Sequence, residues 1–170
     1  MKIRPENRVD YQKIHSLINE SFATAEHADG NEAELVEALR AGTAYLPELT
    51  LVMEDKETII GFVMFTKAKF SDQKSLVLSP IAIAPEWQKQ GIGSQLIEAG
   101  HAKAKEMGFD LIFVLGSDVY YPKFGYQNAQ KLGVTIPNDF PSQYFMVLPL
   151  AGQNDLSGQV RFADEFGITD

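Results

Sequence analysis

In Ile81-Ala82-Ile83-Ala84-Pro85-Glu86-Trp87-Gln88-Lys89-Gln90-Gly91-Ile92-Gly93-Ser94, an apolar β-like run gives way to a polar turn and then to glycines that open a helix. Pro85 has no N–H to offer a ladder and ends the strand. Ile92, Leu96, Ile97, Ala104 and Met107 carry helical spacing as far as Gly108, a residue type that favours helix ends. Residues 111–115, Leu-Ile-Phe-Val-Leu, read as a strand directly afterwards. Strand, loop, helix, strand makes a βαβ crossover. The two strands are therefore expected to run parallel, with the helix over one face and a ligand cleft at the strand ends.

Upstream, residues 49–53, 59–67 and 76–83 are β-like runs divided by polar clusters, which predicts an antiparallel meander. Before them comes a short opening strand and then a helix, with Asp10 as its cap and Tyr11, Ile14, Leu17, Ile18 and Phe22 on its inward face. Residues 26–31 read as a loop, and Ala33, Leu35, Val36 and Leu39 predict a second helix that closes near Gly42. Downstream lie a tyrosine-rich turn, a Pro- and Gly-punctuated stretch over 133–141, a strand around 145–148 and a polar tail. With no internal repeat or low-complexity linker, residues 1–170 are expected to form one domain of the α/β (α+β) class.

A formal net charge of −8 disfavours nucleic acid as the main partner, because phosphate binding relies on clustered Lys and Arg. The same charge suits a cationic substrate. The chain has no cysteine, which excludes disulfides, thiolate metal sites and a covalent intermediate on a cysteine of this chain. Three scattered histidines, including His15 and His101 on predicted helices, do not form a metal site. The first residues lack the apolar run of a signal peptide, and apolar runs such as 59–65 are too short to span a bilayer. A cytoplasmic location without a membrane partner is the expectation.

Glycines at a helix start let the backbone approach an anion, and the first unpaired N–H groups, backed by the helix dipole, point at it. Gln88 to Gly93 lacks the Gly-Lys-Ser/Thr ending of a nucleotide P-loop, and Leu96 stands where a dinucleotide fingerprint needs its third glycine. Taken alone, the six residues fit an anion cradle and a glycine-eased helix start with no ligand equally well. Further on, Ser117-Asp118-Val119-Tyr120-Tyr121-Pro122-Lys123-Phe124-Gly125-Tyr126 packs aromatic residues densely behind the second parallel strand. A phenol there suits protonation of a leaving thiolate, since its hydroxyl stays protonated at neutral pH.

Together, the strand and loop over residues 81–94 resemble the acetyl-CoA-binding core of the Gcn5-related N-acetyltransferase (GNAT) superfamily. Nearly the whole chain is similar to the YhbS-type branch of that superfamily, in Ala33 to Arg40 and in Tyr120-Tyr121-Pro122-Lys123-Phe124-Gly125-Tyr126. The resemblance implies a mixed central sheet with helices on both faces, acetyl-CoA as co-substrate and acetyl transfer to an amine. It implies that Ile81, Ala82 and Ile83 pair with the pantetheine arm. It also implies that Gln88, Lys89, Gln90, Gly91, Ile92, Gly93 and Ser94 wrap the pyrophosphate, with Tyr121 and Lys123 also at the cofactor. Tyr121 is the implied general acid and Tyr120 the fallback, and a homodimer is compatible with the resemblance. Relatives often carry Arg where Gln88 stands, and Asp-Pro where Ser117-Asp118 stands.

Without cysteine, direct transfer in a ternary complex is expected, with an Ile81 or Ile83 N–H polarising the thioester carbonyl. An amine largely protonated at neutral pH needs a base or a water chain. Residues 76–83 hold no carboxylate, leaving Glu26, His27, Glu32 and Asp118 as candidates. The missing strand carboxylate also keeps open an acyl-CoA-binding module with little turnover. A donor with a longer acyl tail is a further option, since the loop reads only phosphates.

Overall fold

The computed structural model describes residues 1–23, 30–137 and 140–168 of the 170. Strand β1 (Lys2–Pro5) leads through a short turn into helix α1 (Tyr11–Phe22), followed by α2 (Glu32–Arg40). Then come the meander β2 (Thr50–Asp55), β3 (Thr58–Phe70) and β4 (Gln73–Ile83), helix α3 (Ile92–Glu106) and β5 (Leu111–Leu115). Short strands β6 (Gln127–Asn128) and β7 (Val134–Thr135), the longer β8 (Phe145–Pro149) and finally β9 (Gly158–Arg161) complete the described elements.

The sheet runs β1-β2-β3-β4-β5-β8-β6, antiparallel except for the β4–β5 pair, which α3 connects in the predicted βαβ unit. Helix α3 lies on one face, where Leu96, Ile97 and Ala104 bury against Val63, Phe65 and Ile112. Gly100 sits so close that a Cβ there would overlap the Phe65 ring. Helices α1 and α2 lie on the other face, with Ile14, Leu17, Ile18, Val36 and Leu39 against Val52, Phe62 and Met64. Alternate residues of β3 thus serve opposite layers, the period-two geometry of a strand covered on both sides. No helix among the described residues is long and apolar enough to cross a membrane.

Two local readings change. Asp10 does not cap α1: its carboxylate accepts the Asn7 N–H at 2.7 Å and a forked pair from Arg4 at 2.8 and 3.1 Å, closing the turn before the helix. The polar tail contains β9, which extends the sheet by pairing Phe70 with Val160 and Lys69 with Arg161. Leu156 and Val160 are buried there in a third apolar cluster with Phe70, Phe113 and Phe145.

Candidate active site

The site begins where β4 bends. Between the pairs Val63↔Ile81 and Phe65↔Leu78, Met64 alone faces Ser79 and Pro80. Such a two-against-one bulge bends a strand, and Pro, lacking an N–H, is tolerated at such irregularities. Parallel pairing with β5 covers only Ser75↔Leu111, Leu76↔Ile112 and Val77↔Phe113. Beyond these pairs the two strands separate, β4 running on to Ile83 and β5 to Leu115 with a gap between.

The backbone lining this gap is determined by alternation along the strand. The Ala84 N–H points at β3, donating to the Ile60 carbonyl at 2.9 Å. Ala82 therefore also faces β3, and the Ile81 and Ile83 N–H groups face the gap. The Ile83 N–H there donates to Ser21 Oγ, on the last turn of α1, at 3.3 Å. Ser21 was not singled out from the sequence. Its only signal is its place one turn beyond the buried Leu17.

The loop after β4 is braced by its own side chains. Gln88 Nε2 donates to the Ile83 carbonyl at 3.1 Å and Gln90 Nε2 to the Glu86 carbonyl at 3.0 Å. Lys89 is exposed, and both it and Gly91 adopt positive φ, 62° and 85°. The first helical bond of α3 runs from the Gln95 N–H to the Gly91 carbonyl at 3.1 Å. The N–H groups of Ile92, Gly93 and Ser94 precede it with no acceptor inside the helix, at the positive end of its dipole. Ile92 turns its side chain into the core and offers only its backbone. A Cβ on Gly91 would meet nothing within 4 Å, so the need for glycine there comes from its backbone conformation and not from crowding by the protein.

Two tyrosines close the site from the β5 side and occupy different places. A Cβ built on Gly93 would fall 3.0 Å from the Tyr120 hydroxyl, so that phenol reaches the first turn of α3. Lys123 holds its ammonium 5.1 Å from the centroid of the Tyr120 ring. Tyr121 is buried, its ring edge 2.6 Å from where a Cβ on Gly116 would stand at the end of β5. Burial, with the neighbouring Tyr120 adding to it, raises the Tyr121 hydroxyl pKa well above its usual range. Tyr126 packs edge-on against Tyr121 with centroids 5.6 Å apart, and its hydroxyl lies 2.8 Å from His101 Nε2 on α3. Neither Gly116 nor the Tyr126–His101 pair was legible as part of this packing.

Of the candidate bases, Glu26 and His27 lie outside the described residues. Glu32 opens α2, and Asp118 is exposed beyond β5, where its carboxylate accepts the Gln143 amide at 2.8 Å.

A family model for the acetyltransferase (GNAT) domain matches residues 47–128, from the turn before β2 through β6. The uncharacterized N-acetyltransferase YjhQ of Escherichia coli K12 is 32% identical over 142 residues, 78% of either chain. This chain belongs to the GNAT acetyltransferases. Within that family it is similar over 98% of either length to the uncharacterized N-acetyltransferase YhbS of E. coli, at 26% identity. The crystal structure of E. coli YhbS in complex with CoA superposes at a TM-score of 0.87, covering 98% of this chain and 91% of that one at 26% identity. A GNAT family acetyltransferase of Brucella melitensis in complex with acetyl-CoA gives a TM-score of 0.81 over 97% of both chains, also at 26% identity. The mixed sheet with helices on both faces is thus the GNAT fold.

Proposed function

We propose that this GNAT domain binds acetyl-CoA along the free edge of β4 and passes the acetyl group directly to a primary amine. One observation carries the reading. The N–H groups of Ile81 and Ile83 face the β4–β5 gap outside any strand ladder, that of Ile83 resting on the Ser21 hydroxyl at 3.3 Å, and the leading N–H groups of α3 stand at its mouth. The edge N–H groups suit the amide-bearing pantetheine arm as an added strand, and the helix start suits a diphosphate. The CoA complex of YhbS and the acetyl-CoA complex of the Brucella protein support the same ligand here.

In the transfer, the amine nitrogen bonds to the thioester carbon, the carbon–sulfur bond breaks, and the sulfur takes a proton. Tyr121 supplies that proton. Its buried phenol remains un-ionised well past neutrality, as a donor to a departing thiolate requires. Tyr120, with its hydroxyl at the first turn of α3, serves the phosphate end. The Ile81 N–H polarises the thioester carbonyl. An ammonium first loses one proton to water to become the nucleophile, and the proton shed on acylation returns through water to the Tyr121 phenolate.

The two rings separate kinetically. Tyr121→Phe is expected to lower kcat about a hundredfold with little change in acetyl-CoA affinity, the signature of a contact made only in the transition state. Tyr120→Phe is expected to raise the KM for acetyl-CoA and spare kcat. Steady-state CoA release with a panel of primary amines checks both, and the opposite pattern would exchange the roles. Acetyl-CoA binding without release to any amine would favour the acyl-CoA-binding module instead.

A further inference from the structure

The face of the gap that the acceptor enters is fixed by strand alternation. On β5, Ile112 and Val114 pack in the α3 layer and Leu111 and Phe113 in the opposite layer, so Leu115 points away from α3. On β4, Ala82 and Ala84 face α1, whose Ser21 reaches the Ile83 N–H at the edge of the gap. Beyond β5 there is a pocket of about 690 Å³ lined by Leu115, Gly116, Ser117, Asp118, Pro141 and Tyr144. Gly116, at the end of β5, lines it and also carries the packed ring of Tyr121, which links the pocket to the proposed acid through one residue.

The chemistry of its walls is uneven. Five large apolar side chains stand exposed among the described residues, and Leu115 (45%) and Tyr144 (40%) are two that line this pocket. A third, Val119 (75%), adjoins Asp118 in the chain. Exposed apolar side chains on the wall of a pocket suit the apolar body of a ligand. Asp118 brings the one charge among the described residues lining the pocket. Gln143 Nε2 holds Asp118 Oδ2 at 2.8 Å, which orients the carboxylate and leaves its other oxygen to receive a cation.

Building on the acetyl-transfer reading, we infer that the acceptor is an arylalkylamine or alkylamine: a primary amine on an apolar body, with no carboxylate of its own. The apolar body lies against Leu115 and Tyr144, and Asp118 recruits the ammonium to the pocket beside the gap. An acceptor with its own carboxylate next to the amine, such as an amino acid, is repelled by the same side chain. A small hydroxylated amine leaves the apolar wall wet.

Phenethylamine, phenylalanine and ethanolamine test this as probes, each by CoA release with acetyl-CoA and by calorimetric titration into CoA-saturated protein. Phenethylamine is expected to exceed both others by roughly tenfold or more in kcat/KM and in affinity. Asp118→Asn is expected to shrink its advantage over phenylalanine about fivefold, the scale of an exposed ion pair. Leu115→Ser, at an exposed position that does not threaten folding, is expected to shrink the advantage over ethanolamine. Equal affinities for the three probes in the unaltered protein, or ratios that neither variant moves, would overturn the assignment of the pocket. If the binding preferences appear and no amine releases CoA, the pocket stands and the transfer reaction falls.

Discussion

His101 illustrates how a residue that looks incidental in the sequence is drawn into the site. It sits on α3 among the rings of Phe65, Phe124 and Tyr126, and burial lowers its pKa from 6.5 to about 4. The folded protein therefore resists a proton that the unfolded chain accepts. That contribution to stability is complete above pH 6.5 and is lost as pH falls from there towards 4. Allowing for partial exposure, the loss is on the order of 2 kcal/mol. Urea unfolding of the protein and of His101→Gln across this range should show a shallower pH dependence in the variant, and parallel curves would refute the burial effect. Helical spacing places His101 on a helix, but its partner Tyr126 lies 25 residues away, and periodicity carries no such pairing. The doubled tyrosine was a similar case. The family resemblance implied Tyr121 with Tyr120 as fallback, and only the fold separates the buried ring of Tyr121 from the Tyr120 hydroxyl at the start of α3.

At the scale of elements, the βαβ unit was readable because its signals are strong and local: a proline stop, a glycine start and fifteen residues of helical spacing. The bulge in β4 was not, since a two-against-one pairing depends on the partner strand. Strands β6, β7 and β9 span two to four residues each, too few for alternation to register, and form because the third apolar cluster needs cover. For the loop, close approach of an anion is the reason for Gly91 that is legible in the sequence, and the backbone adds a second. Crowding alone would require Gly91 to have close neighbours, and it has none within 4 Å. Its φ of 85° is what an L side chain disfavours. Gly91→Ala is therefore expected to let the loop relax elsewhere in the free protein, and ligand must then restore it. That costs about 1–2 kcal/mol, or roughly tenfold in acetyl-CoA affinity by titration calorimetry. An unchanged affinity would remove this turn from the binding site.

Across the whole molecule, the start of the chain is tied to the α1–α2 layer by charge. Glu6, its side chain fully buried, takes a forked pair from Arg40 at 2.7 and 3.0 Å and the Tyr45 hydroxyl at 2.6 Å. Arg40→Leu strands that carboxylate without its cation and is expected to cost about 3 kcal/mol in denaturant unfolding, part of it recovered by adding Glu6→Gln. A loss below the error of the measurement would mean that the pair contributes no net stability. Residues 34 positions apart in the chain announce no such partnership, whereas the apolar spacing that builds the core around them does. The bulge at Ser79 and Pro80 has the widest reach. On the proposed reading, main chain beside this bulge grips the thioester donor while side chains beyond β5 choose the acceptor, which puts the two in separable parts of the protein. A library randomised at Leu115, Asp118 and Tyr144 thus offers a route to retarget this scaffold towards new amines while its hold on the donor is inherited unchanged.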